Sequence, residues 1–308
     1  MIKITLKTLF YLLIILTGSL TACHIETRSD FSGDLNTIQE KTFSIQPGKD
    51  LKVDASVGDV TITTWDKPEV YIKILGNKRA KDKIDLTFNN DENEVSVIAK
   101  SENSFFNWFS HGIQLRFEIK VPSEFNTNIN TAGGDIQIGE IRGNNKLRTS
   151  GGDVRVKNSD GVLKISTSGG EINLDTNSGT MDVATSGGDI KARDFKGDLT
   201  ASTSGGDIQL KGSDSKVYAE TSGGDIFLEY TGENKGIHVE TSGGDINMKL
   251  PSDFNASASM YTSGGEINCE LTANNAKKIS SSRFEADLNS GGAELIAKTS
   301  GGDITIKK

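Results

Sequence analysis

The chain has 308 residues, room for one large domain or two ordinary ones, and 34 of them are glycine where the usual share of about 7% would give roughly 22. A count of only 4 prolines excludes a collagen-like chain, and 34% apolar residues excludes a large helical core while leaving enough for a thin, repetitive one. The formal charge of −8, with no Lys/Arg-dense stripe, argues against nucleic acid as a partner.

Residues 1–22 place Lys3 and Lys7 ahead of an apolar run from Leu9 to Leu16, then Thr17-Gly18-Ser19-Leu20-Thr21-Ala22, which is the layout of an export signal. The run is about half the roughly 20 residues that a spanning helix needs. Leu20-Thr21-Ala22-Cys23 resembles a bacterial lipobox. That resemblance implies acylation of the Cys23 thiol, cleavage of the bond before it, and a protein anchored to a membrane and facing away from the cytoplasm. An ordinary secretory signal followed by a chance cysteine is the alternative. Loss of residues 1–22 removes two lysines and no acid, taking the formal charge from −8 to −10. Residue 24 is His, not the Asp that favours inner-membrane retention of Gram-negative lipoproteins, so the same resemblance favours the outer membrane over the cytoplasmic one. Residues 23–45 are polar and lack clear periodicity, as in a flexible tether.

Residues 46–125 alternate or cluster as strands do, at Leu51-Lys52-Val53, Val70-Tyr71-Ile72-Lys73-Ile74, Val95-Ser96-Val97 and Leu115-Arg116-Phe117-Glu118-Ile119. This β region is expected to cap the repeat that occupies residues 126–308 and so protect an otherwise unpaired edge. Within it, Phe105-Phe106-Asn107-Trp108-Phe109 gathers four aromatics. Phe105, Phe106, Trp108 and Phe109 either touch lipid or a protein partner or plug the first rung of the repeat.

From 126 to 308 a phrase close to Thr-Ser-Gly-Gly-Asp-Ile recurs, beginning at Thr131, Thr149, Thr167, Thr185, Thr203, Thr221, Thr241, Thr262 and Thr299. The spacing is 18 residues, stretching to 20 and 21, and the last interval of 37 leaves room for a degenerate copy at Ser281-Ser282. A fixed period of this size means one structural unit stacked on the next. After each Gly-Gly pair the pattern is apolar, polar, apolar, as in Ile172-Asn173-Leu174, and a second alternating segment precedes each phrase, as in Leu163 and Ile165. The predicted fold is all-β: a parallel β-solenoid of two-strand rungs joined by a Ser-Gly-Gly turn and an Asn/Ser/Asp/Gly-rich turn. A series of antiparallel hairpins also satisfies the alternation, but identical phrases on each rung favour in-register parallel stacking. Cys269 falls in an apolar column, as a small inert core residue.

Here the chain resembles the bacterial "putative adhesin" family, an envelope domain whose biochemical function is largely unknown and which is expected to form a β-helix. The resemblance covers residues 46–308. It rests on Ser56-Val57-Gly58-Asp59-Val60-Thr61-Ile62 with Thr64-Trp65-Asp66, on Phe117-Glu118-Ile119-Lys120-Val121-Pro122, and on the Gly-Gly-Asp-Ile ladder. It implies a binding or adhesive role at the cell surface, with a protein or glycan as ligand.

Catalysis has little support. None of the three histidines, His24, His111 and His238, stands in a Cys/His or Ser/His/Asp spacing, and the short uniform turns wall no cleft. The column of Asp135, Asp153, Glu171, Asp189, Asp207, Asp225, Asp245, Glu266 and Asp303 is chemically more informative. Carboxylates about 4.8 Å apart repel, so either Ca²⁺ sits between rungs or turn amides and salt relieve the charge. The Gly-x-Gly-x-Asp nonapeptide of calcium solenoids is absent, which favours the amides, and no other cofactor is expected. The sequence points to a lipid-anchored, non-catalytic binding or structural solenoid. An envelope-stress or signalling component that binds a membrane protein or cell-wall ligand is the alternative, and a carbohydrate-active enzyme the more remote one.

Overall fold

The computed structural model describes residues 35–101 and 112–308. The leader, Cys23, His24, His111 and the aromatic run with Phe105, Phe106, Trp108 and Phe109 lie outside the described residues.

The 18-residue phrase folds into two parallel ladders. After each Gly-Gly turn comes a short strand, and these strands stack in register with Ile136 beside Val154, Ile172, Ile190, Ile208, Ile226 and Ile246 in succession. The strands before each phrase stack likewise, with Leu147 beside Ile165, Val183, Ala201, Ala219 and Val239. Alternation then sends every second side chain inward. Ile172, Leu174, Leu163 and Ile165 are all buried, as are their counterparts on the other central rungs. Each such aliphatic side chain contributes about 1.5–3 kcal/mol on leaving water. Parallel stacking is therefore the arrangement of the repeat, and antiparallel pairing is confined to the two ends.

The Gly-Gly turn is fixed by space. On the second glycine of each pair an added Cβ would lie about 2 Å from the carbonyl oxygen of its counterpart one rung away, for example 1.9 Å at Gly170 and 2.1 Å at Gly206. On the first glycine it would meet nothing closer than 3.7 Å at Gly205. The threonine opening the phrase is buried and ties the same turn together. Thr203 Oγ1 donates to the Gly188 carbonyl at 3.0 Å and accepts from the Gly206 N–H at 3.4 Å, and the pattern repeats from Thr149 to Thr299.

The opposite turn needs a left-handed residue on each rung, and here the position falls to Glu140, Asn158, Thr176 and Asp194, with φ between 51° and 59°. Its corner is filled by a mixed column. Ile141 and Phe195 are buried, and between them Ser159 donates through both N–H and Oγ to Asn177 Oδ1, while Asn177 Nδ2 donates to the Val156 carbonyl. Tyr230 continues the corner, its ring edge-on to Phe254 and its hydroxyl donating toward the Ser215 and Glu233 carbonyls.

The ends depart from chain order. Strands Asp50–Ala55 and Asp59–Trp65 form a rung directly on Asn126–Thr131 and Ile136–Gly139. Strands Glu94–Ser101 and Leu115–Pro122 then stack outside it. Residues 46–125 thus supply both phrase-free rungs and a closing layer, in which Ile84–Asn90 and Glu69–Gly76 pair antiparallel on the outer rung. A short helix, Lys78–Lys83, joins them, with the Asn77 side chain accepting from the Ala80 N–H at 2.9 Å. Part of the segment read as a tether is ordered. Asn36–Ser44 is an edge strand antiparallel to Glu69–Gly76. Periodicity does not reveal it, because an edge strand with both faces partly open needs no clean alternation.

At the other end, strands Glu294–Thr299 and Ile304–Lys307 slot between Ile237–Thr241 with Ile246–Lys249 on one side and Ala256–Thr262 with Ile267–Cys269 on the other. The expected degenerate copy at Ser281-Ser282 is not a rung. Arg283–Leu288 runs antiparallel to Ala256–Thr262 and to Ala273–Ile279, burying Phe284, Ala286 and Leu288 over the outermost rung. Its two-residue alternation is that of a strand in either direction, so the sequence pattern alone does not orient it.

Candidate functional site

The repeating turn projects the carboxylate column along one edge. Each aspartate of the column is held by an amide of the next rung: Asp59 Oδ1 accepts from the Asp135 N–H, Asp135 from Asp153, Asp153 from Glu171, Asp189 from Asp207, Asp207 from Asp225 and Asp225 from Asp245. The column then keeps to the spatial order, Asp245 accepting from Asp303 and Asp303 from Glu266. A partial charge on each N–H offsets repulsion between neighbours. Two cations strengthen one half of the column: Arg155 reaches Asp135 and Asp153, and Lys191 reaches Glu171 and Asp189. Among the described residues no group of three or more His, Cys, Asp or Glu side chains is gathered as metal ligands.

A second feature lies where the phrase-free rungs meet the repeat. The outward side chains of Glu69–Gly76, Leu115–Pro122, Asp59–Trp65 and Ile136–Gly139 wall a groove of about 570 Å³. Tyr71, Lys73, Arg116, Glu118, Thr61 and Gln137 supply its donors and acceptors. A shallower extension of about 360 Å³, sharing Thr61, Thr63 and Gln137, continues past Arg155 to Asn173. Lys73 lies 3.6 Å from Glu118, and the Tyr71 hydroxyl donates to Glu40 at 2.7 Å. That hydrogen bond, ahead of the other causes, raises the Tyr71 hydroxyl above its ordinary range. Trp65 packs beside Tyr71, the rings tilted by 48° with centroids 6.1 Å apart, and lies under Lys67 and Lys120.

Sequence reasoning missed this groove because it joins outward residues of phrase-free strands, two of them some forty residues apart, to those of the first rungs of the repeat. The signal present was the alternation itself: Tyr71 and Lys73 interleave with buried Val70, Ile72 and Ile74, and Arg116, Glu118 and Lys120 with buried Leu115, Phe117 and Ile119.

The outward aromatics stand where alternation puts them, Tyr218 at 37%, Phe227 at 43% and Tyr261 at 46% exposure. They do not converge. Tyr218 and Phe227 belong to different ladders, and Tyr218 instead meets His238 at 4.9 Å. His238 faces outward with Nε2 3.3 Å from Glu240, so its neighbours are a phenol ring and a carboxylate. Cys269 is half-buried near the open end of its column, and that burial pushes its thiol above the ordinary range.

The sequence profile of the Toastrack DUF4097 family matches residues 48–307. Among solved structures, the chain is similar to a "putative adhesin" from Bacteroides fragilis NCTC 9343, at 12% identity over 87% of this chain and 96% of that one, with a TM-score of 0.44. It is also similar to a "putative cell adhesion protein" from Clostridium sporogenes ATCC 15579, at 13% identity over 88% and 99% of the two chains, TM-score 0.22. A third is a "putative lipid binding protein" from Parabacteroides distasonis ATCC 8503, at 11% identity over 88% and 96%, TM-score 0.28. No curated protein matches the chain.

Proposed function

Because the chain belongs to the Toastrack DUF4097 family, we propose that it is a non-catalytic binding module of the cell envelope, anchored through Cys23 and offering its outer sheet face to a protein or glycan. The observation that carries this reading is the groove from Tyr71 to Asn173: a long surface of mixed polar and apolar character on a hydrogen-bonded ladder, with no buried side-chain polar atom lacking a partner among the described residues. Such a surface is preorganised, so contacts to an extended ligand do not have to order the protein first. Within the groove Lys73 is already paired with Glu118 and the Tyr71 hydroxyl with Glu40, which supports a binding surface over a catalytic one. The envelope location rests on the leader and on Leu20-Thr21-Ala22-Cys23, and His24 in place of Asp supports the outer membrane as the anchoring surface.

The test is fractionation and protease shaving of intact cells and spheroplasts, with wild type and Cys23→Ala compared. Wild type in the membrane fraction and Cys23→Ala released from it supports the anchor, and equal partitioning overturns it. Digestion in intact cells supports adhesion at the exterior; protection until the outer layer is breached supports the envelope-stress or signalling reading instead.

A further inference from the structure

The rung 294–307 is the last in the chain yet is not the last in the stack. It is threaded between rungs 237–249 and 256–269, with parallel hydrogen-bonded neighbours on both sides. Its two faces make the standard contacts of the repeat. Thr299 Oγ1 donates to the Gly244 carbonyl and Thr262 Oγ1 to the Gly302 carbonyl, both at 2.8 Å, and the Asp303 N–H donates to Asp245 while the Glu266 N–H donates to Asp303. The three phrases meeting there, starting at Thr241, Thr262 and Thr299, are Thr-Ser-Gly-Gly-Asp-Ile, Thr-Ser-Gly-Gly-Glu-Ile and Thr-Ser-Gly-Gly-Asp-Ile.

That near-identity has two consequences. First, rung 256–269 carries the same turn and threonine as rung 294–307, with Glu266 in place of Asp303, so it fits rung 237–249 directly and can occupy the slot before the last rung arrives. The last rung is then left with both faces unpaired. Second, the slot is specific for the phrase and indifferent to which chain supplies it. The segment that leads into the slot, 289–293, is short and holds Gly291 at φ 71° and Gly292 at φ 142°, conformations that other residues resist. Asn289, Ser290 and Ala293 are bonded to residues 252–255 and to Asn234, contacts that lie at the connection itself. The hairpin formed by Ala273–Ile279 and Arg283–Leu288 pairs with strand Ala256–Thr262 from the far side without using the last rung, so that strand stays covered when the last rung leaves.

We propose that rung 294–307 exchanges between two copies of this chain, each copy filling the slot of the other. A swapped pair keeps every ladder contact of the monomer and changes only the short connection, which is the condition under which exchange of an identical element is cheap. The partner is thus a second copy of this chain, recognised by the Gly-Gly-Asp phrase, independently of whatever ligand the outer groove takes.

The test uses the full chain with Cys23→Ala and Cys269→Ala, to which Asn247→Cys and Thr305→Cys are added. These two positions are register partners on the outer face. Refolding from denaturant at rising protein concentration is monitored by size-exclusion chromatography with light scattering, and each peak is oxidised and run on a non-reducing gel. The expected result is a dimer peak that grows with concentration and runs at twice the 33.0 kDa chain mass, while the monomer peak runs at the single mass. Deleting Gly291 and Gly292, in a protein that keeps its β circular dichroism, is expected to shift the population to dimer because the closed connection no longer reaches. A dimer that runs at single mass after complete oxidation overturns the proposal, since it forms through another surface, and so does the lack of any dimer in the unshortened protein across the concentration range. Should the deletion variant not fold, the gel of the unshortened protein decides alone.

Discussion

The two glycines of each turn should respond in opposite ways to one added methyl group. In Gly206→Ala the new Cβ would stand 2.1 Å from the Gly188 carbonyl oxygen, more than 1 Å inside a normal contact, and the obstacle is backbone that cannot rotate away. The rungs have to part locally. Bonds crossing that interface at the turn include Thr203 Oγ1 to the Gly188 carbonyl, the Asp207 N–H to Asp189, and the Gly205 N–H to the Ser186 carbonyl. Overpacking alone costs about 1–3 kcal/mol, and loosening two such bonds adds about 1 kcal/mol each, giving roughly 3–5 kcal/mol. In Gly205→Ala, one residue earlier, the methyl meets nothing closer than 3.7 Å and the backbone is not left-handed. There the reduced freedom of the unfolded chain leaves stability unchanged or raised by up to about 1 kcal/mol. Urea denaturation monitored by circular dichroism compares the two variants with wild type, reading both midpoint and slope because stacked repeats can unfold in parts. If Gly206→Ala melts with wild type, or Gly205→Ala falls as far as Gly206→Ala, then steric approach between rungs is not what requires the second glycine.

The opposite turn gives a stabilising change. Thr176 is β-branched and held at φ 57°, so Thr176→Asn, which tolerates that region, should raise the urea midpoint by an amount equivalent to about 0.5–1 kcal/mol, and no rise would argue that the site carries no strain. Tyr230→Phe removes the acceptor of the buried Ser215 N–H and should cost about 1–3 kcal/mol at neutral pH in the same assay. The variant should also change the alkaline limb. Burial raises the Tyr230 hydroxyl above its ordinary value near 10, so its contribution is fully present below that pH and is lost as pH climbs from there through the raised value of the folded chain. Stability of the wild type should therefore fall more steeply above pH ~10 than that of Tyr230→Phe, and parallel curves would contradict the assignment.

What the sequence disclosed was the part governed by local period. An 18-residue phrase repeated with alternating Ile and Leu leaves few alternatives to stacked rungs, and the inward columns, the outward Tyr218, Phe227 and Tyr261, and the carboxylate edge all obey parity. Stacking order does not. Rungs 50–65 and 294–307 are inserted beside partners far along the chain, and because every rung offers the same interface, the phrase is equally content with several neighbours. Buried Asn177 and Ser159 were also illegible, since each is polar in sequence and they satisfy one another only across a rung. The groove was hidden for a related reason. Its walls are outward residues of strands whose adjacency is a matter of topology, so the pattern identified each strand without bringing Tyr71 beside Lys120.

The tucked-in rungs change how the module would bear load. A strand on the open edge of a sheet can be peeled, its hydrogen bonds failing one after another under a small force, and Asn36–Ser44 with its single partner is such a strand. Ile304–Lys307 and Asp50–Ala55 have bonded neighbours on both sides. Tension applied along either of these must slide it against two ladders at once, with the bonds resisting together. Pulling from the N-terminal side would therefore strip the edge strand first and then meet a rung that yields only by shear, a geometry suited to a tether that is tugged without being unravelled.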